Sequence, residues 1–381
     1  MSFILTEEQE ELLALVRKFS EKEILPYAHQ MDVEAHFVPG LIQKIADLGF
    51  MGINVPEEYG GVGADEVTKA LVIMEFAKYD ASVAELLAVH TLSSDIILKH
   101  GTPEQKEKYL TKACTGAVGA FALTEPNAGS DAAAAKTKAI SQGDEYIING
   151  SKCFISNMGQ DEGDYVILIV LTDPEKKTKG MSAIIVDRDT PGFTVPKTED
   201  KMGLRAAPVS ELYFDECHVP KSQLLGEKGK GFAIAMAGLD GGRIGMASQA
   251  VGLAESCIAE SVEYSTQRVQ FGKPVNANQG LQWYLADMAT KTEAAKALTL
   301  NAAALRQAGK NITKEAAMAK YYASETAVEV ANKALQIHGG YGYMKEYAIE
   351  RQYRDARIIP IYEGTSEVQK MVISRAVING K

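Results

Sequence analysis

The order of patterns along the chain predicts an α+β protein in three parts: an α-helical domain over 1–118, a β-domain over 119–227 and a helical bundle over 228–381. Three observations carry this. Apolar residues recur at helical spacing through the first part and again after Phe232. Between them the chain changes to short β-branched and aromatic runs punctuated by Gly, Asp, Asn and Pro. Strands and helices never alternate, so a doubly wound nicotinamide-binding sheet is not expected despite several glycine clusters.

The elements follow in order. Thr6 and Gln9 make a capping-box pair, and Leu12, Leu15, Val16 and Phe19 repeat behind them until Pro26 closes the helix. A second helix over 41–48 stops at Gly49, and the glycine-rich stretch 54–63 reads as a connector. Helical pattern resumes over 65–100, and Thr102 with Pro103 starts a further helix. In the β-domain the runs 146–148, 165–171, 182–186 and 211–214 are spaced as in an antiparallel barrel or sandwich, and 173–180 reads as a polar hairpin loop. Helical periodicity over 247–268, 280–308, 314–337 and 348–354 then reads as an antiparallel bundle.

Composition narrows the function. The 381 residues carry a formal net charge of -10, which argues against a nucleic-acid binder. Cys114, Cys153, Cys217 and Cys257 are scattered and read as reduced thiols of a cytoplasmic protein, neither a disulfide framework nor a zinc site. No uninterrupted apolar run reaches the ~18 residues of a membrane span. The acidic N-terminus is neither a signal nor a transit peptide. His90, His100 and His338 lack metal-ligand spacing and read as packing, cap or surface residues.

Near the C-terminus, Pro360 ends a helix and Gly364 allows a sharp turn. Glu363 stands between them beside apolar Ile361 and Tyr362, where lost hydration would raise its pKa toward that of a general base. A glutamate in a solvated turn is the alternative for this pair taken alone. Thr124 and Ser130 offer hydroxyls in a Pro- and Gly-opened loop. Phe154-Ile155-Ser156 puts an aromatic face beside a hydroxyl, and Arg268 to Phe271 pairs a guanidinium with a ring. Gly339 and Gly340 break a helix as if its backbone must approach something closely.

In order and spacing, the stretches 123–131, 268–271 with Gln279 and 285–288, 336–340 and 362–367 resemble the signatures of the acyl-CoA dehydrogenase family, bacterial short-chain (butyryl-CoA) members above all. The resemblance covers essentially the whole chain. It implies an α-helical domain, a central β-domain and a C-terminal four-helix bundle enclosing FAD and an acyl-CoA or enoyl-CoA thioester. Glu363 would be the catalytic base. Phe121, Leu123, Thr124, Ser130, Phe154, Ile155 and Ser156 would line the flavin, with Thr124 and Ser156 bonded to its ring. Arg268, Phe271, Asn278, Gln279, Gln336, Gly339 and Gly340 would contact the FAD of a neighbouring subunit, and Thr365, Ser366 and Glu367 the adenosine half. Ser130, Asp240, Gly241, Gly242, Arg243 and Gly364 match positions that hold the CoA substrate. A homotetramer, built as a dimer of dimers, and exchange of electrons with an electron-transferring flavoprotein are implied as well.

Two departures stand out: Phe154 replaces a common Trp beside the flavin, and Asn278-Gln279 replaces a Phe-Gln pair. Some relatives carry the base at the position of Gly242, where this chain has no carboxylate, so a straight-chain type of site with Glu363 as base is expected. The reaction implied is α,β-dehydrogenation to a trans-2-enoyl-CoA. The rivals are the same site acting as an enoyl-CoA reductase, an acyl-CoA oxidase, and a non-redox acyl-CoA-binding protein.

Overall fold

The computed structural model describes residues 4–159 and 162–380; Met1, Ser2 and Phe3 of the N-terminal stretch lie outside them. Six helices come first: α1 Glu7–Glu23, α2 Ala28–Glu34, α3 Leu41–Asp47, α4 Glu66–Ala77, α5 Ala81–His100 and α6 Pro103–Cys114. The Thr6–Gln9 capping box is formed. One helical pattern was expected over 65–100. Asp80 divides it, because its carboxylate caps α5 by accepting the Ser82 and Val83 amides at 2.8 and 3.2 Å. α5 is long and apolar enough to cross a membrane, yet it is a core helix, buried along nearly its whole length.

The β-domain holds β1 Gly119–Ala122, β2 Lys138–Gln142, β3 Glu145–Ser156, β4 Tyr165–Leu171, β5 Met181–Asp187, β6 Phe193–Thr194, β7 Val209–Pro220 and β8 Leu224–Leu225. They form one sheet in the order β6-β7-β3-β2-β4-β5-β8, with β1 beside β4. Most pairs are antiparallel as the sequence predicts, but β4 runs parallel to β1 and meets β2 in parallel at Lys138–Leu171. The sheet is therefore mixed. β4 and β5 are buried on both faces: Ile167, Ile169, Ala183 and Ile185 pack with α5 and α6, and Val166, Leu168, Ile184 and Val186 pack inside the sheet.

The last part is α7 Gly231–Gln267, a β9–β10 hairpin (Val269–Gln270, Lys273–Pro274), α8 Gln279–Gln307, α9 Thr313–His338, α10 Ile349–Ala356 and α11 Ser366–Ile378. α7 begins well before the expected 247, and α11 was not anticipated. The N-terminal helices and this bundle share one hydrophobic core.

Candidate active site

Between α10 and α11 the chain turns through Glu363 and Gly364, both at positive φ, 53° and 91°. Gln369 pins the turn from α11 by donating to the Glu363 and Gly364 carbonyls at 3.1 and 2.8 Å. Lys320 of α9 also donates to the Gly364 carbonyl at 2.8 Å. Thr365 caps α11 through the Val368 amide, Ser366 donates to Glu325, and Glu367 is exposed.

The Glu363 carboxylate points inward, and its Oε2 is buried without a hydrogen-bond partner among the described residues. Burial pushes its pKa up to about 7, against the opposing pull of Arg243 and Lys320. Lys320 is itself desolvated and lowered to about 8. Tyr362 donates its hydroxyl to Gln249 and holds the loop to α7. A carboxyl that titrates near neutrality and has one uncommitted oxygen is suited to take and return a proton.

α7 passes beneath this carboxylate. A Cβ at Gly242 would lie 2.9 Å from Glu363 Oε2, so this turn of α7 abuts the carboxylate from the later loop. Asp240 and Arg243 pair at 2.6 Å, and Thr313 donates to Asp240 at 2.7 Å. Arg306 lies against Gly241. α5 closes the space from the other side. Built Cβ atoms at Gly238 and Gly245 would lie 2.8 Å from Ile96 and 3.1 Å from Ala88, and Leu92 reaches Gly242. A cavity of about 10 Å³ lies between α4, α5 and α7, lined by Lys69, Leu92, Asp95 and Gly242, and Glu363 does not line it.

In the sheet, the loop carrying Leu123, Thr124 and Ser130 is fastened by a charge pair that sequence reasoning missed. Buried Lys152 donates to Glu125 at 2.8 Å and to the Leu123 carbonyl at 2.9 Å, while Glu125 accepts the Lys136 and Thr137 amides. Leu123 is buried, Phe121 and Thr124 are half-buried and Ser130 is exposed. A register shift between β3 and β7 at Lys152/Ile155 re-aims the strand there. Phe154 sits in it at φ 58° with its ring 73% exposed, while Ile155 is buried. Ser156 donates to Glu85 of α5 at 2.7 Å, a second carboxylate the sequence reading missed.

The remaining candidates gather elsewhere. Lys320 lies eighteen residues before His338 on α9, or roughly 27 Å along the helix. At the far end, the Arg268 guanidinium lies over the Tyr341 ring at 5.2 Å, and His338 stacks on Tyr264 at 4.3 Å. Phe271 is 99% exposed, and Gln279, Gln336, Gly339 and Gly340 are exposed with Asn278 half-buried. Among the described residues, chain neighbours aside, nothing lies within 4 Å of a Cβ built on Gly339 or Gly340. One chain thus separates the two groups of candidate ligands.

Family models for the acyl-CoA dehydrogenase N-terminal, middle and C-terminal domains match residues 6–117, 120–217 and 229–378. The chain is 53% identical to the acryloyl-CoA reductase (NADH) of Anaerotignum propionicum, over 99% of this chain and 96% of that one. The chain belongs to the acyl-CoA dehydrogenase family. The solved butyryl-CoA dehydrogenase of Megasphaera elsdenii superposes with a TM-score of 0.96 at 46% identity, covering 99% of this chain and 100% of that one. A solved chain from work on the electron transferring flavoprotein of Acidaminococcus fermentans and flavin-based electron bifurcation superposes at 0.97 with 46% identity, covering 99% and 100%.

An acyl-CoA dehydrogenase of this family takes FAD, and the residues present fit it. Phe154 offers a bare aromatic face on a bulged strand, the Glu363 Oε2 is orphaned, and Gly339 and Gly340 leave a backbone free to be approached. Glu85, Lys152 and Glu125 escaped the sequence reading because each depends on a partner at least 27 residues away. The only local signal was a charged residue inside an apolar pattern.

Proposed function

We propose that this chain is an FAD-dependent oxidoreductase interconverting a small acyl-CoA and its trans-2-enoyl-CoA. The observation that carries the reading is the Glu363 carboxyl, desolvated to about 7 with one buried, uncommitted oxygen. In dehydrogenation Glu363 removes the α-proton of the thioester. In enoyl reduction it returns one. The flavin, when bound, accepts or supplies the β-hydride at N5. Among the described residues the Glu363 amide has no acceptor, so it is free to donate to the thioester oxygen as negative charge develops there.

The acyl group is short. Leu92, Ile96 and Ala88 crowd α7 at three glycines, which supports a short acyl group. Ser130 and the Asp240–Arg243 segment are assigned to the CoA thioester, and Phe121, Leu123, Thr124, Phe154, Ile155 and Ser156 to the flavin. Thr365, Ser366 and Glu367 are assigned to its adenosine half. Arg268, Phe271, Asn278, Gln279, Gln336, Gly339 and Gly340 serve the FAD of another subunit in a homotetramer. The wide separation of the two groups within one chain supports that assembly. The similarity to a chain studied with an electron transferring flavoprotein supports such a protein as the redox partner. Four unpaired cysteines support a cytoplasmic setting. The reductase name of the 53%-identical relative favours enoyl reduction as a second direction of the same site.

Anaerobic mixing of the holoenzyme with butyryl-CoA tests the reading. The flavin absorbance should bleach in the wild type, and at least ~10²–10⁴-fold more slowly in Glu363→Gln with FAD retained. Bleaching of the variant at the wild-type rate would overturn the assignment.

A further inference from the structure

Glu85 lies in the first turns of α5 at 2% exposure. Its Oε1 accepts the Ser156 hydroxyl at 2.7 Å, and its Oε2 is buried with no hydrogen-bond partner among the described residues. It forms no ion pair among the described residues. Ser156 faces it from β3, Lys201 from the segment between β6 and β7, and Tyr362 and Glu363 from the base loop. Lys201 is the only cation of this set, and its ammonium is bonded to the Ala207 carbonyl at 2.7 Å and the Arg205 carbonyl at 3.4 Å. A desolvated carboxyl without a counter-ion weakens a fold, so packing alone does not account for it. Among the described residues its carboxylate bonds only to Ser156, and Glu363 is close enough to raise its pKa further. It therefore belongs to the active-site wall.

We propose that Glu85 is a positioning residue that lowers the reduction potential of the bound flavin by holding the Ser156 hydroxyl proton away from the ring and placing a negative charge behind it. The proposal rests on the placement of Ser156 beside the flavin given above. A ring that gains a hydride gains electron density. A withheld donor and a nearby anion both oppose that gain, and both act strongly in a water-poor wall. The consequence is a site biased toward giving hydride to an enoyl thioester rather than drawing it from a saturated one.

The test is the midpoint potential of the bound FAD, equilibrated with a reference dye at pH 8.5, for the wild type, Glu85→Gln and Ser156→Ala. Burial sets the Glu85 titration at about 7, so the wild-type side chain is charged at pH 8.5. Gln keeps an acceptor for Ser156 and removes only the charge. Glu85→Gln should favour the reduced flavin on the order of tenfold, which is a rise of about 30 mV for a two-electron couple. The difference from wild type should shrink below pH 6, where wild-type Glu85 holds a proton. Ser156→Ala should alter the visible flavin spectrum or the potential. If it alters neither, the placement of Ser156 fails. If it alters them while Glu85→Gln leaves the potential unchanged or lower, the placement stands and the proposal is overturned. Should Glu85→Gln not fold, the potential is followed from pH 6 to 8.5 in Glu363→Gln, where the base no longer titrates. A slope steeper than that of free FAD supports the proposal, and the free-FAD slope overturns it.

Discussion

The two ends of α7 and α9 differ in how far the chain satisfies its own groups. At the Gly242–Lys320 end, the base loop, α5 and β3 enclose a network of hydrogen bonds around two buried carboxyls. At the Arg268–Gly340 end, Phe271, Tyr343, Val269 and Tyr341 are exposed together around Gly339 and Gly340, which no described residue beyond their chain neighbours approaches. Scattered exposed apolar residues are ordinary, but a cluster of them marks an interaction surface. The contrast supports the proposal that proton chemistry is built within one chain, while the other end is half of a site completed by another subunit.

Breaking the enclosed end should cost most. Lys152→Met leaves Glu125 buried without its cation, and about 3–5 kcal/mol of stability should be lost in denaturant titration. A loss under ~1 kcal/mol would mean that the pair does not fasten the 123–131 loop. A methyl group sharpens the comparison. Gly242→Ala places a Cβ 2.9 Å from Glu363 Oε2, the mobile end of that side chain, so it should displace the base and slow flavin reduction by butyryl-CoA. Gly340→Ala meets nothing within 4 Å and should leave the unliganded chain within ~0.5 kcal/mol of wild type. Equal effects would erase the distinction between the ends. The smallest change in chain stability, also within ~0.5 kcal/mol, is expected for Arg268→Ala. There the readout is assembly: sedimentation should show smaller species that have lost FAD, and a full-sized, fully loaded oligomer would contradict the half-site reading.

What was legible in the sequence follows the same divide between local and distant causes. The turn at Gly364 and the desolvated carboxyl of Glu363 could be read from Gly364 and the apolar neighbours of Glu363, all adjacent in the chain. Helix starts at Thr6 and Thr102 were equally local, since a capping box spans four residues. Glu85 was hidden because α5 is buried nearly all round, and periodicity has no face to report. Its partner Ser156 is 71 residues away. The bulge that turns Phe154 outward and the parallel β1–β4 pairing depend on registers set between distant strands. The Asp80 cap that divides 65–100 was readable in principle, but apolar pattern on both sides masked it.

The most direct measurement of the central claim is exchange of the acyl-CoA α-proton with deuterated water, which isolates the proton step from electron transfer. Glu363 must be ionised to take a proton, and burial raises its pKa to about 7. Exchange by the wild type should therefore rise with pH through about 7 and level off above it, and Glu363→Gln should show no exchange at any pH while still binding acyl-CoA. Exchange by that variant at the wild-type rate, with the same pH dependence, would contradict the account.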